Sequence, residues 1–280
     1  MKIHHLNCGS VRTIDATYDG PPSAPAVNHC LLVETDRDGL VLVETGLGLG
    51  DIRDPDGSLG ADWTEMAAPV LDEQETAVRQ VARLGFDPAD VRHILLTHLD
   101  VDHCGGLPDF PGARVHVLAD ELAAALAEAP SLRYRLAHWA HGPHWVTYDT
   151  GAAGRAGTTE DWFGFTALRP RGLPPEFRLV PLGGHTAGHT GVAVHRGDRW
   201  LLHCGDAYYY HREMEEAGEP HPLLDLVQTR SEVHRDLRLA TQARLRQLIR
   251  EHPEEIELFS AHDPWEFARL TRPQASGLRL

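Results

Sequence analysis

One lysine, Lys2, stands in the whole 280-residue chain, and every other fixed positive side chain is an arginine. We read this as genome composition rather than chemistry. Cysteine is scarce too. Cys8, Cys30, Cys104 and Cys204 form no Cys-x-x-Cys pair and no zinc-finger spacing, so they are expected as small buried residues in a reduced compartment. No apolar run approaches membrane-spanning length, and the opening MKIHHLNCGSVR lacks the apolar stretch of a secretory signal. Linkers, long charge blocks and fixed-period repeats are missing as well. These absences lead us to expect one cytoplasmic domain over residues 1–280, apart from any membrane; 42% apolar residues are ample for its core. Positive charge is in deficit: 26 Lys and Arg against 41 Asp and Glu leave a formal net charge of -15, which argues against a nucleic-acid partner. Histidine is abundant, with 19 residues, a pool from which a metal protein can draw ligands.

The chain reads as alternating strands and helices. VNHCLLVE (27–34) and GLVLVE (39–44) form a hairpin across the charged turn DRD, and LGLGD (47–51) reads as a glycine-rich loop. Val78, Val81 and Leu84 share one helical face over 75–84, stopped by Gly85, and DPAD (87–90) starts a short helical turn. HILLT (93–97) and RVHVL (114–118) are strands, and 119–129 is a helix. Segment 130–176 resists assignment. FRLVPL, TGVAVH and RWLLHC are three more strands, followed by a helix over roughly 229–251 and a last strand, IELFSA (256–261). This order points to a layered α/β architecture, sheet inside and helices outside.

The chemistry concentrates in LLTHLDVDHCGGL (95–107). His98 and Asp100 are two apart, so in extended chain they point the same way and can hold one cation together. Asp102 and His103 follow where the chain turns toward Gly105 and Gly106, glycines that permit close backbone approach. Imidazole and carboxylate suit zinc, iron and manganese, and crowded carboxylates are costly unless a cation neutralises them. Matching pieces recur at later strand ends: His185 in PLGGHTAGHTG, Asp206 in LLHCGDAYYY and His262 in LFSAHDP.

In this order the pieces resemble the metallo-β-lactamase fold superfamily, with HxHxDH, a GHTxGH-type histidine, an aspartate after a strand and a last histidine. VETG (43–46) resembles the family's hydrophobic-Asp-Thr-Gly segment, with Glu44 at the acidic position. The resemblance implies a four-layer αβ/βα sandwich and two divalent metal ions. By position, His98, Asp100 and His185 would hold the first ion, Asp102, His103 and His262 the second, and Asp206 would bridge them. A hydroxide between the ions would attack a carbonyl carbon, with Asp102 also steering the proton.

The chain departs from the pattern at Asp100, where the family has His. The added negative charge makes a weaker Lewis acid and a first position friendlier to harder ions, so zinc is the default and iron or manganese are rivals. Flavodiiron-type relatives have Glu there and hold two irons, but this chain has no room for their flavodoxin domain. A third option is that Asp100 binds through water or not at all.

Among relatives the resemblance is nearest to lactonase-like hydrolases, including those that open N-acyl-homoserine lactones. Their tyrosine three residues after the bridging aspartate corresponds to Tyr209, either a donor to the developing oxyanion or a tyrosine packed at a strand end. Trp139, Trp145 and Tyr148 are candidate pocket lining, with packing on the sandwich favoured for any one of them. His189, His203 and His5 are expected as structural. The expectation is a metal-dependent hydrolase opening a small lactone or ester, as a monomer or homodimer. Thioesterase or glyoxalase II-like hydrolysis, an iron oxidoreductase and a site that binds but turns over poorly are the alternatives.

Overall fold

A computed structural model describes residues 1–17, 20–36, 38–150 and 159–272. The turn residue at 37, the glycine-rich part of 151–158 and the end of the expected domain, 273–280, lie outside the described residues.

Two six-stranded sheets face each other. The first joins β1 (Lys2–Asn7), β4 (His29–Glu34), β5 (Leu40–Val43), β6 (Val91–Leu95), β7 (Arg114–Leu118) and β8 (His144–Tyr148), in that order. Its first two pairings are antiparallel and the other three parallel. The second runs β14 (Ile256–Phe259), β13 (Arg199–His203), β12 (Thr190–Arg196), β11 (Phe177–Pro181), β10 (Phe165–Leu168) and β9 (Thr159–Trp162), with only β13 and β14 parallel. A two-residue ladder pairs β2 (Thr13–Ile14) with β3 (Ala24–Pro25).

Strand period decides which layer each side chain enters. In β4, Leu31 and Val33 point inward against Phe177, Leu179, Val192 and Phe259 of the opposite sheet. Cys30 and Leu32 point outward into a second core with Ala77 and Val81 of α4 (Ala77–Arg83) and Ala125 of α6 (Ala119–Glu128). Behind the second sheet, Val180, Ala193 and Leu202 meet Leu245 and Leu248 of α8 (Arg235–Glu251). Helix, sheet, sheet, helix is the expected four-layer sandwich. No helix among the described residues is long and apolar enough to cross a membrane.

Two expectations need correction. The glycine-rich loop 47–51 opens α1 (Leu49–Arg53), because Asp51 Oδ2 accepts from Gly48 N–H at 2.8 Å and Asp109 from Leu49 N–H at 2.9 Å. Two further short helices follow, α2 (Pro55–Ser58) and α3 (Ala61–Ala67). The helix at 229–251 is two helices, α7 (Pro222–Ser231) and α8. The N–H groups of Val233 and His234 turn aside to bond Gly184 O, so the chain breaks to hold the His185 loop. In the segment left unassigned, Trp139 ends a short 3-10 turn, and Trp145 and Tyr148 lie in edge strand β8. The remaining helices are α5 (Val101–Cys104) and α9 (Pro264–Thr271).

Candidate metal centre

All seven residues singled out as candidate ligands converge at one end of the sandwich. The chain leaves β6 at Leu95, and Thr97 N–H is caught by Glu44 Oε1 at 2.5 Å. His98 and Asp100 follow in extended chain, and the first turn of α5 presents Asp102 and His103. The glycines act as expected: a Cβ on Gly105 would lie 2.1 Å from Asp51 Oδ2, and one on Gly106 2.9 Å from Thr45 O. His185 sits in the β11–β12 turn, and Asp206 and His262 follow β13 and β14. Gly205, at φ +53°, sets Asp206 where a side chain would strike His189 Nε2 and Thr97 Oγ1.

Three groups of potential ligand atoms lie within 4.8 Å of one another: His98, Asp100 and His185; Asp102, His103 and His262; and His98, His103 and Asp206. Asp206 is shared between the two sides. Its Oδ2 is 3.8 Å from His98 Nε2 and 3.4 Å from His185 Nε2, while its Oδ1 is 3.3 Å from His103 Nε2 and 3.1 Å from His262 Nε2.

Hydrogen bonding fixes two tautomers. His103 Nδ1 lies 2.9 Å from Glu44 Oε2 and His262 Nδ1 2.9 Å from Val27 O, both acceptors, so each Nδ1 carries the proton. In the neutral rings both Nε2 lone pairs then face each other at 3.3 Å. Two lone pairs so placed repel unless something positive stands between them. His98 Nε2, Asp100 Oδ1 and Asp206 Oδ1 are buried and make no hydrogen bond. This donor set fits divalent cations. His189 is spent: Nδ1 donates to Leu182 O at 2.7 Å and Nε2 accepts from Asp206 N–H at 2.9 Å. His5 and His203 are likewise structural, bonded to His29 Nε2 and His29 O.

Charge is concentrated here. Burial would raise the Asp206 carboxyl, but His262, His103 and His185 hold it well below the usual range. Burial also opposes ionisation of Asp100, and Arg133, His98 and His185 outweigh it. Asp102 stays above its ordinary value, raised by burial.

Three positioning residues escaped the sequence reading. Glu44 holds His103 from a backbone at φ +65°, a strained conformation for a non-glycine residue. Its place in VETG was a signal for the acid, not for its contact. Glu121, buried in α6, takes Leu99 N–H and Tyr134 O–H on one oxygen and Thr186 O–H and Gly188 N–H on the other, latching both ligand loops together. Arg133 Nη1 lies 2.6 Å from Asp100 Oδ2.

The cluster forms the floor of a cavity of about 750 Å³. Its walls are mainly apolar: Trp63 and Met66 of α3, Leu224 and Val227 of α7, and Val11 and Ile14. Of the three consecutive tyrosines only Tyr209 lines it, with its hydroxyl 2.9 Å from Asp206 Oδ2; Tyr208 bonds Glu266. Trp139, Trp145 and Tyr148 do not line it. The two tryptophans pack in the outer core of the first sheet, and Tyr148 bonds His116 at 2.6 Å.

Residues 24–245 match the family model described as Metallo-beta-lactamase superfamily. The chain belongs to that superfamily. A relative named probable metallo-hydrolase in Mycobacterium tuberculosis is 41% identical over 278 residues, covering 97% of this chain and 84% of its own. An N-acyl homoserine lactonase, AttM of Rhizobium radiobacter, is 27% identical over 85% of this chain and 82% of its own. Among solved structures, B. thuringiensis AiiA with N-decanoyl-L-homoserine bound at the active site superposes with a TM-score of 0.69 at 20% identity, over 95% of both chains, a likeness of fold. Superfamily membership and these relatives make the chain a metal-dependent hydrolase.

Proposed function

We propose that this chain is a dinuclear metal hydrolase that opens a small lactone or ester bearing an apolar acyl group. The observation that carries the reading is the divided carboxylate of Asp206, one oxygen toward each histidine pair. His98, Asp100 and His185 would hold one ion, Asp102, His103 and His262 the other, and Asp206 both. Such a pair supplies Lewis acidity and makes water nucleophilic near neutral pH. Each seat offers two histidines and one aspartate beside Asp206, a set that suits zinc, and Asp100 in place of a third nitrogen brings iron or manganese into contention at the first.

The chain's own groups do the rest. The apolar walls bury the acyl group and exclude water around the carbonyl. Tyr209 donates its phenolic hydrogen to the carbonyl oxygen as negative charge develops there. Asp102 lies on the cavity floor, where its carboxylate oxygen can take the proton of the attacking water and pass it to the leaving alcohol oxygen. Lactonase relatives support a lactone or ester over a thioester. We further propose one domain over 1–280, acting on a small molecule as a cytoplasmic monomer or homodimer. Four unpaired, buried cysteines suit that compartment.

Elemental analysis of protein purified without added metal, followed by a panel of acyl lactones and esters, tests the reading. We expect two ions per chain, and Asp206→Asn should lower ion content and hydrolysis together. Unchanged hydrolysis in that variant would remove the bridge.

A further inference from the structure

The two seats differ in one respect that the ligand list does not show: one is already touched by a cation. Arg133 lies outside the seven candidate ligands, between α6 and the turn at Leu136–Trp139, with its side chain 17% exposed. Its Nη1 is 2.6 Å from Asp100 Oδ2 and 3.1 Å from His185 Nε2. Its Nη2 donates to Ser231 O in α7. A guanidinium only donates and does not lose its proton, so His185 Nε2 meets it as an acceptor. One nitrogen of Arg133 therefore engages two of the three groups that would hold the first ion.

The second seat has no such competitor. Among the described residues, no arginine or lysine pairs with Asp102, His103 or His262; their charged neighbours are Asp206, Glu44 and one another. The departure at Asp100 and the presence of Arg133 belong together. An aspartate where the superfamily has histidine adds a negative charge, and the arginine offsets it with a permanent positive one.

We propose that Arg133 makes the two seats unequal: the Asp102–His103–His262 seat fills first and tightly, and the His98–Asp100–His185 seat fills only when Arg133 gives way. This rests on the two-seat reading above. Two terms act in the same direction. An entering dication must displace Nη1 from Asp100 and His185, and it must also settle beside a fixed positive charge. Turnover that needs both ions would then follow the free metal concentration around the weaker constant.

The test is stepwise zinc binding to the full chain, stripped by chelator dialysis and titrated in competition with a fluorescent chelator, with no activity readout. We expect two separate steps in the wild type, the weaker lost in His185→Ala and the tighter in His262→Ala. Removing the competitor in Arg133→Met or Arg133→Gln should tighten the weaker step by about tenfold or more and leave the tighter nearly unchanged, whereas Arg133→Lys, which keeps the charge, should stay near the wild type. Gln keeps hydrogen-bond donors for Ser231 O and guards against a merely misfolded Met variant, and thermal melting of each stripped variant checks the fold. A merely structural arginine would give the opposite sign, a weaker step on removal. Two ions binding in one step, or a weaker step that is unmoved or loosened in the uncharged variants, overturns the inference and leaves the two-seat reading standing. A wild type that binds no zinc overturns both.

Discussion

At the scale of single residues, Asp206 and Tyr209 do different work three positions apart. Asp206 divides its oxygens between two histidine pairs, and Tyr209 stands over it with a hydroxyl 2.9 Å from Oδ2 and 3.3 Å from Ser231 Oγ. Burial first, then the Asp206 charge, push the phenol well above its ordinary value, so it stays protonated and able to donate across the working pH range. Tyr209→Phe removes one donor and no packing volume to speak of. We expect kcat on a preferred lactone or ester to fall by roughly 100-fold, with KM and bound metal little changed. A fall in metal content with kcat would instead make Tyr209 a support for Asp206. The seven candidate ligands were legible because each lies at a strand end in a local motif. Arg133 was not: SLRYR has no spacing that marks one arginine, and its partners Asp100 and Ser231 are 33 and 98 residues away. Glu121 was hidden in the same way, inside an ordinary helical pattern whose acid meets Leu99 and Gly188 only in the fold.

At the scale of elements, the strands were readable and the cavity walls were not. Strands such as β4 and β11 are buried on both faces and announce themselves as apolar β-rich runs. Helices α3 and α7 carry weaker signals because one face looks onto a cavity rather than a core. In α7, Leu224 and Gln228 are buried while Leu226 is exposed, so apolar residues do not mark a single stripe. Pro222 at the first helical position, capped by His221 Nδ1 on Leu223 N–H, was the available sign. The aromatic segment 134–148 packs as favoured, its rings spent on the first sheet's edge and outer core. If α3 and α7 hold the acyl group, narrowing the space between them should select by chain length. Val227→Trp adds bulk at the wall. KM for long-chain acyl substrates should rise by about tenfold or more, while short-chain substrates keep their kcat, because a few buried methylenes are worth ~2 kcal/mol. Equal losses across chain lengths would move the acyl site elsewhere.

For the molecule as a whole, two groups stand out among the abundant histidines. One gathers at the metal centre. The other, His5, His29 and His116, is built into the first sheet, where burial disfavours the charged ring, with consequences for acid stability. Burial first, then Arg196, lowers His5 to about 4, and burial with His93 lowers His116 to about 3. Buried His29 lies well below its ordinary value, through burial and then His5. Each has a folded-state value below the unfolded 6.5, so between about 4 and 6.5 the unfolded chain binds more protons than the native one. Stability contributed by His5 is thus present above pH 6.5 and is lost as pH falls toward 4. Glu266 works in the opposite sense: burial and then Asp263 raise it to about 8, so its contribution is lost as pH rises through that value. The two trends overlap, and a single melting curve against pH cannot separate them; a variant can. His5→Phe gives up the 2.8 Å bond to His29 Nε2 and should cost about 1 kcal/mol at pH 7.5. It should also lose less stability than the wild type on acidification to pH 5, by on the order of 1–2 kcal/mol, because one ring that resists protonation is gone. Denaturant unfolding of metal-free protein at both pH values measures this difference of differences. Parallel losses in variant and wild type would mean that His5 is protonated as readily in the fold as out of it, and would leave the acid sensitivity to other buried rings such as His29 and His116.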